Sequence, residues 1–157
     1  MVDKTENFML RAIELSKKNI DNGGGPFGCV IVKDNTIIAE GYNQVTNSND
    51  PTAHAEIVSI RKACKILKTF NLSEVELFTS CEPCPMCLSA IYWARINRVY
   101  YGNSRKDAAL IDFDDEYIYK ELKLDIHQRK IHMSQINNKE ALRVFDLWEK
   151  TENKTKY

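Results

Sequence analysis

The chain has 157 residues, 43% of them hydrophobic and 28% charged, and its 22 basic and 22 acidic side chains cancel. That length and apolar share suit a single domain, residues 1–157, around one core. A net charge of zero gives no general attraction for a polyanion such as nucleic acid and favours a small substrate. The polar start Met1-Val2-Asp3-Lys4-Thr5-Glu6 and the shortness of every apolar run lead us to expect no export leader and no membrane span. The five cysteines should then meet a reducing cytoplasm, where clustered thiols bind metal more often than they form disulfides.

In chain order, Phe8, Ala12, Leu15 and Ile20 fall near helical spacing and predict an amphipathic helix over roughly 5–20, stopped at Asn22-Gly23-Gly24-Gly25-Pro26. The β-rich runs at 27–32 and 36–40, separated by Asp34-Asn35, predict a hairpin. A loop over 43–50 follows. Ile57, Ile60, Cys64 and Leu67 then predict a helix with one buried face, with Asp50 as its N-cap and Pro51 at its first position. A strand at 75–79, a helix from Pro85 to about 94 and a strand at 99–101 complete a βαβ alternation. Residues 130–133 suggest a fifth strand, and 139–150 a terminal helix. The order implies an α/β fold: a three-layer α-β-α sandwich with a mixed sheet of about five strands.

Two motifs sit at predicted helix starts: His54-Ala55-Glu56, and Pro83-Cys84-Pro85-Met86-Cys87. One imidazole and two thiols make three zinc-type ligands for one Zn2+ per chain, and the fourth position of a tetrahedral ion is left for water. Residues i and i+3 share a helix face, so the sulfurs of Cys84 and Cys87 can converge. Glu56 is a carboxylate not needed as a ligand. A site with two thiolates acidifies water less than one built of neutral imidazoles, so a nearby proton acceptor is required, and Glu56 is placed for it. Histidine-x-glutamate with Pro-Cys-x-x-Cys is the signature of zinc-dependent nucleobase deaminases. Glu56 would take a proton from the activated water and return protons to the ring nitrogen and the departing amine.

The motifs also have plainer readings. Cys-x-x-Cys alone also fits a structural zinc knuckle or a redox pair, and Cys81 would be the obvious fourth ligand of a closed site. Cys81 ends a predicted strand while Cys84 starts a helix, which argues against its joining them. Cys29 and Cys64 lie on apolar faces and read as core, and His127 and His132 as surface or sheet residues.

From 24 to 121 the chain resembles the bacterial guanine deaminases of the cytidine-deaminase-like superfamily, through Gly25-Pro26-Phe27-Gly28, the block from Asn47 to Glu56 and the block from Thr79 to Arg95. The resemblance implies deamination of guanine to xanthine and ammonia, with a free purine base as the partner. It implies that Asn43, Phe27 and Asp115 meet the purine: Phe27 as a ring face, Asn43 as donor and acceptor, Asp115 as acceptor from guanine N–H groups. Each also fits an ordinary role, as turn residue, core residue and helix cap respectively. It further implies a homodimer that exchanges the segment 139–157, so that the terminal Tyr157 closes the neighbour's site. A tRNA adenosine deaminase shares the zinc motifs, but the chain lacks the basic surplus that would hold an RNA stem. Another free base or an amino-triazine is a further alternative substrate. A non-catalytic zinc-bearing interaction domain would have no use for the carboxylate of Glu56.

Overall fold

The computed structural model describes residues 4–157, so Met1, Val2 and Asp3 of the polar N-terminus lie outside the described residues. These form two compact units, 4–117 and 118–157. Helix α1 (Lys4–Asp21) opens the first unit. It ends in a Schellman arrangement, with Gly24 N–H bonded to Asn19 O and Gly23 N–H to Ile20 O, and Gly23 supplies the left-handed residue at φ 75°. Strands β1 (Gly28–Lys33) and β2 (Thr36–Tyr42) form the expected hairpin. Its turn residues Asp34 and Asn35 both have positive φ, at 49° and 57°, as a two-residue turn matched to strand twist demands.

The segment predicted as loop contains a short helix, α2 (Val45–Ser48). Helix α3 (Ala55–Leu67) starts later than Asp50 and Pro51 suggest, and its N-cap is His54. Asp50 closes a local turn instead, its Oδ1 accepting from Thr52 N at 2.8 Å and Thr52 Oγ1 at 2.6 Å. Strand β3 (Glu76–Cys81), helix α4 (Pro85–Trp93, N-cap Cys84) and strand β4 (Arg98–Asn103) follow, then short helices α5 (Arg105–Ala109) and α6 (Glu116–Leu122).

The sheet order is β2-β1-β3-β4, with β1 antiparallel to both neighbours and β3 parallel to β4 through the α4 crossover. The sheet is mixed and covered on both faces, as expected, but has four strands. The suggested fifth, 130–133, forms no strand. Its apolar side chains Ile131 and Met133 are exposed, so no buried face holds it in register.

Alternation along the strands sends Val30, Val32 and Phe78 toward Leu15 and Phe8 of α1. On the other face Cys29, Ile31 and Leu77 pack with Ala55 and Ala63 of α3 and Ile91 of α4. Cys29 and Cys64 are accordingly packing residues. Gly41 lets the start of α3 press on β2: a Cβ there would lie 2.6 Å from Ala55 O and 2.4 Å from Ser59 Oγ. That close approach carries His54 and Glu56 to the end of the sheet where β2 and β3 finish and β1 begins.

In the second unit, α7 (Asn138–Lys150) is the main element, and no residue of 118–157 is buried. Among the described residues, no helix is long and apolar enough to cross a membrane.

Candidate metal centre and base pocket

His54 and Cys84 are both N-caps in extended backbone, and neither uses its side chain to cap its helix. The two caps turn their side chains toward one point, and Cys87, one turn into α4, joins them from the same helix face. His54 Nδ1 lies 3.6 Å from Cys84 Sγ and 3.5 Å from Cys87 Sγ. A tetrahedral zinc with ordinary Zn–N and Zn–S bonds separates such donors by about 3.6 Å, so spacing and donor chemistry both fit that ion. Among the described residues these three are the one group of metal-type ligands that converges.

The charges support the fit. Cys84 is drawn down to about 4, chiefly by a hydrogen bond with Cys87, against the effect of burial and with further help from His54. Cys87 moves up, since it holds the proton it shares with Cys84 and is buried. The bare pair therefore carries one negative charge readily and a second reluctantly, which is the restriction a dication removes. The imidazole of His54 is raised, first by its hydrogen bond with Cys84. Cys81 does not join the group: its thiol is pushed up to about 11 by burial and points to Ser104 O at 3.8 Å. His127 and His132 are exposed in the second unit.

Glu56, in the first turn of α3, is 6% exposed. Burial raises its pKa, while hydrogen bonds, including one from Thr79, oppose the rise. Thr79 Oγ1 donates to Glu56 Oε1 at 2.9 Å. A carboxyl group held protonated more easily than usual, beside three metal-type ligands and outside their set, has the character of a proton carrier.

The residues expected to meet a base lie on neighbouring segments. Asn43 is buried; its backbone N–H donates to Phe27 O at 3.0 Å and its Oδ1 accepts from Val45 N at 3.2 Å. Half of its amide thus serves the turn, and its Nδ2 has no partner among the described residues. The Phe27 ring is half-buried and meets Phe113 edge to face, centroids 4.9 Å apart. Just before α6, Asp114 Oδ1 accepts from Glu116 N at 2.9 Å. Burial raises the pKa of Asp115, and the negative charge of Cys84 adds to the rise. Tyr157 belongs to the second unit, where with Val144, Phe145, Trp148 and Lys156 it lines a cleft of about 630 Å³.

Two residues of the first unit had no sequence signal. Thr79 is one, and Asn19 is the other: 1% exposed on α1, it donates Nδ2 to Gly25 O and to Asn43 O, both at 2.8 Å. It thus ties the segment leading to Phe27 to the one carrying Asn43.

Residues 2–103 match the cytidine and deoxycytidylate deaminase zinc-binding region. The chain is 52% identical over 153 residues to guanine deaminase of Bacillus subtilis, covering 97% of this chain and 98% of that protein. The crystal structure of guanine deaminase from that species superposes with a TM-score of 0.94, over 97% of this chain and 98% of that one. A tRNA-specific adenosine deaminase of Buchnera aphidicola is 42% identical over 107 residues, 68% of this chain and 66% of the relative.

Proposed function

We propose that this chain, which belongs to the family of zinc-binding cytidine and deoxycytidylate deaminases, hydrolyses guanine to xanthine and ammonia. The observation that carries the substrate is the extent of identity. It runs through 153 residues against the guanine enzyme and 107 against the tRNA enzyme, so the latter leaves about a third of this chain unmatched. The absence of net charge also favours a free base over an RNA stem.

His54 Nδ1 and the sulfurs of Cys84 and Cys87 would hold the zinc ion. Bound there, zinc supplies Lewis-acid activation of water at neutral pH. Glu56 does the proton work. It accepts a proton from the attacking water and delivers it to the ring nitrogen next to the carbon that bears the amino group. It then carries the second proton of the water to the departing nitrogen. The C–O bond forms, the C–N bond breaks, and water is consumed as ammonia leaves. Burial helps by making the protonated form of Glu56 accessible during the cycle. The Phe27 ring, braced by Phe113, offers a stacking face, Asn43 Nδ2 a donor, and Asp115 an acceptor for guanine N–H groups.

Residues 139–157 are exchanged within a homodimer in this proposal, and Tyr157 closes the neighbour's site. The apolar side chains of α7 support it, since Val144, Phe145 and Trp148 are all exposed in a single chain. The enzyme works in a reducing cytoplasm that keeps Cys84 and Cys87 available to metal.

The test is ammonia release by the zinc-loaded protein with guanine, adenine, cytosine and a tRNA in parallel, with Glu56→Gln as control. Guanine turnover that vanishes in the variant while zinc is retained is the expected result. Turnover of tRNA alone would sink the guanine assignment and leave the deamination chemistry standing.

A further inference from the structure

A proton carrier must present one oxygen to the reaction, yet the terminal torsion of a glutamate is broad and roughly twofold, so its two oxygens are interchangeable unless something separates them. The structure contains such a device. Thr79 sits within β3, between Cys29 of β1 and Tyr101 of β4, and is 1% exposed. Its Oγ1 is bonded to Glu56 Oε1 at 2.9 Å and to no other group among the described residues.

We infer that Thr79 is a positioning residue for the deamination proposed above, fixing Oε1 of Glu56 as the anchored oxygen and leaving Oε2 as the one that takes and delivers protons. The inference rests on that proposal for its reaction but on separate geometry. The hydroxyl is held in the interior of the sheet and bonded to one oxygen of Glu56 only, so it fixes the rotation of the carboxyl about its terminal torsion and the other oxygen keeps one orientation. Removing the donor would leave Oε1 short of a partner in a buried place, which is costly, and would free the carboxyl to turn.

The experiment compares Thr79→Val, which keeps the shape and loses the donor, with Thr79→Ser, which keeps the donor. Both are assayed on guanine as zinc-loaded full chains, with kcat normalised to bound zinc and thermal midpoints recorded. In Thr79→Val kcat per zinc should fall about 10- to 100-fold, the scale of a misplaced catalytic group, with KM moving less than about twofold. Thr79→Ser should recover to within about threefold of the parent. Unchanged kcat per zinc in Thr79→Val overturns the inference. So does a loss that follows zinc content or thermal midpoint and is equal in the serine variant. Should the valine variant not fold, Thr79→Ala replaces it and the same criteria apply. A parent that turns over another base but not guanine refutes the substrate alone, and the variants are then read on that base. A parent that turns over none refutes both.

Discussion

Residues 4–117 and 118–157 spend their apolar side chains in opposite ways. The first unit sandwiches its sheet between α1 and the α3–α4 pair and buries few polar side chains, among them Glu56, Thr79, Asn43 and Asn19, each of which makes a hydrogen bond. The second unit buries nothing, and on α7 it leaves Val144, Phe145 and Trp148 on one helical stripe facing outward. A helix of that kind gains its stability from packing and not from propensity. The first unit is complete as a fold within one chain, whereas the second has the composition of a surface waiting to be covered.

The largest expected effect lies in the first unit. Replacing Glu56 by Gln should lower kcat by about 100- to 10,000-fold, the usual contribution of general acid–base groups, with zinc stoichiometry by elemental analysis unchanged. If zinc is lost with activity, Glu56 is holding the metal centre together and the division into ligands and proton carrier fails.

The next effect addresses Asp115. Asp115→Asn should raise KM for guanine about tenfold through loss of a charged acceptor, with kcat nearly kept. Because burial holds the pKa of Asp115 above the ordinary aspartate value of about 3.9, its acceptor form is lost on acidification earlier than usual. The sign for stability is the reverse. A carboxyl whose folded pKa exceeds its unfolded one costs stability when ionised, and that cost is relieved as pH falls through the raised pKa. The acid limb of kcat/KM should therefore become less steep in Asp115→Asn, losing the Asp115 ionisation and keeping that of Glu56, without a parallel drop in thermal midpoint at low pH.

The second unit supplies a smaller effect. Tyr157→Ala should cost about fivefold in kcat/KM, the worth of one aromatic contact. Mixing that variant with Glu56→Gln under conditions of subunit exchange should raise activity above Tyr157→Ala alone, since one site of a mixed dimer then has both Glu56 and a neighbour's Tyr157. No gain on mixing, or a single-chain mass in sedimentation, would show the second unit serving its own chain. The smallest effects belong to the remaining candidates: Cys81→Ser, His127→Ala and His132→Ala should each leave bound zinc within about 10% of the parent, as expected for residues outside a closed ligand set.

Much of the first unit was legible in the sequence because its signals are local. Helical spacing announced α1 and α3, the Asp34-Asn35 pair announced the hairpin turn, and two short motifs named the converging ligands. What was missed depends on tertiary placement. Asp50 and Pro51 have the chemistry of a helix start, yet Thr52 captures the Asp50 carboxylate and delays the helix to Ala55. Residues 130–133 alternate like a strand, but strand character is realised only against a neighbour, and none lies there. Thr79 and Asn19 are ordinary residue types for a strand and a helix, and their importance appears only when Glu56, Gly25 and Asn43 are brought to them.

One further property follows from the caps. His54 and Cys84 occupy the positions where a serine or aspartate would normally fasten the first amides of α3 and α4, and both withhold their side chains from that duty. The ion they would grip is thus also the clasp of both helix starts. Chelation should then register as faster amide hydrogen exchange in the opening turns of these two helices, while the hairpin of β1 and β2 remains protected.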